Sequence, residues 1–524
     1  MPQTDLETRR RFLRAGAMTM AAAPLLACST RLGGRASSSV TPSDETRRSV
    51  TTAGLQAGPF TGHRDNGVAA WRGIRYARAT RFGLPVVEPL PAAPVACTTF
   101  GAAAAQEKGA GGARSESDDP FFLNVWSPAA DGKQRPVMVW IHGGGFRTGA
   151  GSVYPGHELA AGGDIVVVTL NYRLGAIGFA DFSALGIPNN RGLHDQIAAL
   201  RWVQAHIALF GGDPAQVTVV GESAGSTSVA LLMVARGIEP LFRAAIMQSG
   251  SLNLLHDQQI AARLAARYRE LLGTAAESRA ALEAVPVARL LDAQAQVADA
   301  FPGMIPAAPI YDGDLLPASF ESALLAETPD IPLLVGAMRD EIRFFEIPGA
   351  RTMLLRERGE LLAQVGWLLG KTAAGRIAAT YPDTRAGNRD LGTDANFQMP
   401  TRHFAERHVA RGCRAWVYRF DYGGLFLGAA HAVDLTFLWP LDGVVFGALR
   451  GGPLTGRRRA LAERMRSRWI AFVREGDPGS EWPTYVLPQR PTLIMDRTDR
   501  VEQDPDRARR EAWGGQEIEI ARRP

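Results

Sequence analysis

Residues 217–225 read Val-Thr-Val-Val-Gly-Glu-Ser-Ala-Gly, a short β-branched strand that runs straight into Gly221-Glu222-Ser223-Ala224-Gly225. A G-x-S-x-G segment between a strand and a helix is a nucleophile elbow, in which the chain reverses sharply and holds its serine proud of the turn. Such a turn is strained, and a side chain at either glycine would collide with neighbouring backbone. The pentapeptide alone carries little weight, because its residues are common and a glycine-rich helix cap at Ser223 would look the same. Its context carries more. A strand precedes it, and Ala224 to about Arg236 follows with Val229, Leu231, Leu232 and Met233 in helical order. The pattern points to a serine hydrolase.

Strand-like apolar runs recur along the chain at Phe121 to Trp126, Val137 to Ile141, Ile165 to Asn171, Val217 to Val220, Ala244 to Ser249, Ile331 to Gly336 and Ala415 to Phe420. Several are apolar throughout, as strands are when both sheet faces are covered. Between them lie helical patterns such as Leu193 to Leu209, with Ile197, Leu200, Val203 and Ile207 on one stripe. This alternation predicts an α/β fold, a mostly parallel twisted sheet with helices on both faces. Residues 257–300 and 351–411 are helical in pattern and interrupt it, so they are expected to be insertions over the active site. No internal repeat is present.

A serine hydroxyl is a poor nucleophile until a base and an orienting acid act on it. The strand at 137–141 ends in His142-Gly143-Gly144-Gly145-Phe146, an H-G-G-G segment that supplies backbone N–H groups to an oxyanion hole. A side chain at Gly144 is expected to displace this loop and to fill the alcohol side of the site. His142 is read as holding the loop and is not assigned as the base. Chain order in such sheets is serine, then carboxylate, then histidine. Asp340 and Glu341 follow the strand Ile331 to Gly336, and only His403, His408 and His431 lie beyond them. His403 and His408 fall in a charged helical stretch and are expected to be solvated. His431 follows a glycine-rich connection after a strand, where a loop-borne base belongs. Position alone leaves the two carboxylates unresolved.

The amino terminus has its own logic. Thr8-Arg9-Arg10-Arg11-Phe12-Leu13-Arg14 resembles a twin-arginine export signal, and Ala15 to Ala27 is apolar but too short to span a bilayer. Leu25-Leu26-Ala27-Cys28 resembles a lipobox, so residues 1–27 are expected to be a leader and Cys28 a lipidation site. Residues 28–49 read as a flexible tether and 50–515 as one catalytic domain. The expected location is outside the cytoplasm, periplasmic or lipid-anchored. Beyond Cys28 only Cys97 and Cys413 remain, which cannot build a disulfide framework. Of 58 basic residues only Lys108, Lys133 and Lys371 are lysines, and no basic stripe is interleaved with aromatics. Nucleic acid is therefore excluded as a partner.

Taken together, these segments resemble the type-B carboxylesterases, the α/β-hydrolase family of para-nitrobenzyl esterases and cholinesterases. The resemblance runs from about Val50 to about Arg497. It rests on Phe122-Leu123-Asn124-Val125-Trp126, the H-G-G-G-F segment, Asn171-Tyr172-Arg173-Leu174-Gly175, Gly192-Leu193-His194-Asp195-Gln196, Phe210-Gly211-Gly212-Asp213-Pro214, the elbow, Asp340-Glu341, Gly428-Ala429-Ala430-His431, Gly476-Asp477-Pro478 and Trp482-Pro483. It implies Ser223 as nucleophile, Glu341 as triad acid, His431 as base, and Gly144, Gly145 and Ala224 as oxyanion donors. It also marks Glu222 as a feature of the family's elbow. A small-molecule ester is the implied substrate, without metal or organic cofactor. Pro120 stands where the family usually has a cysteine, Ile342 replaces the glycine after Asp-Glu, and Arg75 replaces a proline. These departures bear on the rim loops, not on the chemistry. Acyl transfer, and lactone or amide hydrolysis, remain open on the same site. A non-catalytic cholinesterase-like binding protein is disfavoured because every catalytic element is retained.

Overall fold

Successive residues of the apolar strands enter two different cores, one on each face of a single large sheet. The structure, a computed structural model, describes residues 55–107, 114–238, 240–250, 255–301, 303–318, 329–347, 357–424, 427–441 and 444–514. The expected leader, the tether and Cys28 lie outside the described residues. The sheet has eleven strands: β1 (His63–Asp65), β2 (Val68–Arg75), β3 (Phe122–Ser127), β4 (Arg135–Ile141), β5 (Val166–Leu170), β6 (Gly212–Glu222), β7 (Ala244–Gln248), β8 (Leu333–Met338), β9 (Ala415–Phe420), β10 (Pro491–Met495) and β11 (Arg500–Gln503). Their spatial order is β1-β2-β3-β5-β4-β6-β7-β8-β9-β10-β11. The seven strands from β5 to β10 in that order run parallel, and the outer pairings β1–β2, β2–β3, β3–β5 and β10–β11 are antiparallel. The expected mostly parallel sheet is observed.

In β4, Val137, Val139 and Ile141 join one core while Met138 and Trp140 join the other. The first core is closed by helix α1 (Arg191–His206), through Leu193, Ile197, Leu200 and Val203, and by helix α2 (Ala224–Leu232). The second is closed by helix α3 (Arg457–Glu475), through Leu461, Met465, Trp469 and Phe472. This two-sided cover is why the strands read as unbroken apolar runs. Full burial of one such side chain is worth about 1.5–3 kcal/mol, so two of them match a typical disulfide. Cys97 and Cys413 are accordingly both free and buried.

Both interrupting segments are helical where described, with helices at Gln258–Leu272, Arg279–Glu283 and Val287–Ala300 in the first, and at Arg358–Leu369, Lys371–Thr380, Arg385–Thr393 and Met399–Ala410 in the second. One expectation fails here. His408 is buried, not solvated, and its Nε2 lies 2.9 Å from the Ile331 carbonyl. The charge of the stretch did not mean exposure: Arg402 is buried too, Glu406 is half-buried and paired with Arg490 at 2.7 Å, and position 408 faces the chain entering β8.

Candidate active site

Strand β6 runs to Glu222 and helix α2 begins at Ala224, so Ser223 alone makes the turn. Its backbone sits at φ 56° and ψ −123°, a conformation that typically costs about 1–3 kcal/mol and persists only where the surroundings enforce it. The enforcement is visible. The Ser223 N–H donates to the Gln248 carbonyl at 2.9 Å, and the Thr227 N–H donates to the Ser223 carbonyl at 2.9 Å. A Cβ at Gly221 would overlap the Gly225 carbonyl, and one at Gly225 would overlap the Ile141 carbonyl. Both elbow glycines are therefore required by close backbone approach.

Glu341 and His431 come together from the loops after β8 and β9. His431 Nδ1 lies 2.6 Å from Glu341 Oε2, and the Met338 N–H donates to Oε1 at 2.8 Å. Glu341 is wholly buried and His431 is nearly so. A carboxylate at Nδ1 fixes the proton on that nitrogen and leaves the lone pair on Nε2. Asp340 turns the other way: its Oδ2 accepts from the Ala429 N–H at 3.0 Å and pairs with Arg339. His142 is engaged elsewhere. Its Nδ1 is 2.9 Å from the Gly143 carbonyl, and its ring stacks on Tyr172.

His431 Nε2 lies 3.2 Å from Glu222 Oε1, the residue just before the serine. Among the described residues, no hydrogen bond joins Ser223 Oγ to Nε2. Such contacts are often long in a free enzyme and tighten with substrate bound. Burial alone would lower the imidazole's proton affinity, but the carboxylates of Glu222 and Glu341 outweigh it and raise the affinity overall. Burial pushes the Glu222 carboxyl up to about 8, against the opposing pull of His431. The two groups titrate as one coupled pair.

Three phenylalanines wall the imidazole, with ring centroids 4.8 Å (Phe397), 5.2 Å (Phe345) and 5.8 Å (Phe344) from it. Phe397 is delivered by a π-helical turn, Asp394–Gln398, inside the second interrupting segment. That segment thus reaches the His431 imidazole directly. The first packs on the segment that follows Arg173, where Gln294 Oε1 accepts from the Ala176 N–H at 2.9 Å. The aromatic wall has no signature in sequence spacing.

The glycine loop abuts the elbow. A Cβ at Gly143 would fall 2.7 Å from the Glu222 carbonyl and 3.0 Å from Ser223 Cβ. Among the described residues, no protein acceptor takes the N–H of Gly144, Gly145 or Ala224. Gly144 has φ 108°, and a Cβ there would overlap the Thr148 carbonyl. A side chain at Gly144 would therefore drive into its own loop and displace it.

The remaining motifs are braces. Arg173 and Asp195 form a buried bidentate pair, Nε to Oδ2 at 2.8 Å and Nη2 to Oδ1 at 2.6 Å. Asn124 accepts from the Gly73 N–H at 3.0 Å and donates to Thr169 Oγ1 at 3.1 Å. A sequence profile of the Carboxylesterase family matches residues 47–364 and 374–513. The chain belongs to the carboxylesterase family. Among carboxylesterase relatives, the para-nitrobenzyl esterase of Bacillus subtilis (strain 168) is 35% identical over 492 residues, covering 89% of this chain and 98% of that protein. The acetylcholinesterase of Bungarus fasciatus is 30% identical over 437 residues, covering 75% and 70%. A solved PNB esterase superposes with a TM-score of 0.80 at 33% identity, covering 88% of this chain and 99% of that one. A Geobacillus stearothermophilus carboxylesterase gives 0.76 at 34%, covering 87% and 98%. The fold is the α/β-hydrolase fold, and this carboxylesterase is an enzyme.

Proposed function

We propose that this carboxylesterase hydrolyses small-molecule carboxylic esters through an acyl-enzyme, with Ser223 as nucleophile, His431 as base and Glu341 as the orienting acid. The observation that carries the reading is the buried 2.6 Å contact between Glu341 and His431 Nδ1, beside a serine held in a strained strand-to-helix turn. His431 Nε2 takes the Ser223 proton as Oγ attacks the ester carbonyl, and Glu341 stabilises the imidazolium that forms. The N–H groups of Gly144, Gly145 and Ala224 receive the developing oxyanion; their lack of a protein acceptor supports that role. His431 then protonates the leaving alcohol, and water repeats the sequence on the acyl group. The para-nitrobenzyl esterase relative favours aryl and benzyl esters as first substrates to try. The amino-terminal motifs support export by the twin-arginine route, with lipidation at Cys28.

The test is turnover of para-nitrophenyl esters by Ser223→Ala and by wild type treated with a serine-directed organophosphate. Both are expected to lose about 10³-fold or more in kcat. Retention of turnover by Ser223→Ala would remove the serine from the mechanism. Product analysis with added alcohol separates hydrolysis from acyl transfer.

A further inference from the structure

His431 rides on an irregular stretch, residues 428–434, in which Ala432 holds φ 64°. Regular structure does not set the place of its imidazole; bonds at either end do. At the front, the Ala429 N–H is held by Asp340 Oδ2, and the Ala429 carbonyl accepts from the Asp340 N–H at 2.9 Å. At the rear stands Asp434, wholly buried. Its Oδ2 accepts from Gln248 Nε2 at 2.7 Å and from the Tyr418 hydroxyl at 3.4 Å, and its Oδ1 from the Leu435 N–H at 2.9 Å. Among the described residues no arginine or lysine pairs with it. A buried carboxylate served only by neutral donors is a costly way to hold a turn, and what it gains is direction.

Gln248 is the other half of this bond. It closes β7, is wholly buried, and accepts from Trp469 Nε1 of α3 at 3.2 Å through its Oε1. Its own carbonyl is the one that holds the Ser223 N–H. One residue is thus bonded by its backbone to the serine and by its side chain to the turn that carries the histidine.

We propose that Gln248 and Asp434 are positioning residues that set the approach of Ser223 Oγ to His431 Nε2, an inference that rests on the assignment of those two residues. Misplacement of a reacting group by about 1 Å costs roughly 10²-fold in rate. Gln248→Leu keeps the bulk and removes both amide bonds. It is expected to lower kcat by about 30- to 100-fold per folded molecule, with KM within about twofold. Gln248→Glu sets a carboxylate against Asp434 and is expected to lose at least about tenfold. Adding Asp434→Asn restores an amide-to-carboxylate bond with its direction reversed, and most of that loss is expected to return.

A Gln248→Leu protein with wild-type Tm and kcat within twofold of wild type would overturn the proposal. So would a double variant no faster than Gln248→Glu alone. Should Gln248→Leu fail to fold, the pair of Gln248→Glu variants carries the test. If instead Ser223→Ala stays active, the underlying assignment has failed and not the positioning.

Discussion

Asp340 and Glu341 leave β8 in succession and part at once, Glu341 to the His431 imidazole and Asp340 to the Ala429 N–H. Glu341→Gln keeps the shape but loses the anion that stabilises the imidazolium, and kcat is expected to fall by several orders of magnitude, up to about 10⁴. Asp340→Asn retains an oxygen for Ala429 and is expected to be mild; the reverse ranking in steady-state kinetics would exchange their roles. The pH profile reports on Glu222. The proposed base works only when neutral, and Glu222, which faces Nε2 and titrates together with it, raises the pH at which it becomes so when ionised. Glu222→Gln removes that contribution, so the acid limb of kcat/KM is expected to move down by about one pH unit. An unmoved or rising limb would show that Glu341 alone sets it. At this scale the sequence was uneven as a guide. Ser223 announced itself through its turn. The choice between Asp340 and Glu341 needed the family resemblance, because neighbouring carboxylates differ only in direction. Gln248 and Asp434 were silent, since one closes an apolar strand and the other sits in a turn with no motif spacing.

Among the elements, the seven strands read from the sequence are long apolar runs buried on both faces, and all are present. Three of the four missed have physical excuses. Strand β2 is interrupted by a register shift between Trp71 and Ile74, β10 opens with a proline, and β11 is a polar edge strand. The π-turn at 394–398 was equally invisible, because an extra residue in a helical turn leaves the apolar pattern nearly unchanged. Two quoted motifs acquire a reason only in three dimensions. Arg173 and Asp195 meet out of water, and Arg173 also donates to the Gly83 carbonyl at 2.7 Å. Asp195→Asn leaves the guanidinium buried without its counter-charge, and is expected to cost about 3–5 kcal/mol. Thermal unfolding checks this; a Tm within a degree of wild type would mean that water or carbonyls suffice.

For the whole molecule, the amino-terminal motifs lie outside the described residues, and the proposed location is tested directly. Replacing Arg9 and Arg10 by lysine is expected to keep the enzyme in the cytoplasm, and Cys28→Ser to move it from the membrane to the soluble periplasmic fraction. An unmodified terminus at Ser29 or later in the wild type would remove the anchor. The sheet order adds a different consequence. The serine follows β6, the carboxylate β8 and the histidine β9, and the carboxylate and histidine that touch are 90 residues apart in sequence. None of these groups can find another until the parallel strands between them have assembled, a process dominated by distant pairings. Esterase turnover is thus a late clock of folding. If the proposed twin-arginine export holds, the precursor has already become an active enzyme before it crosses the membrane.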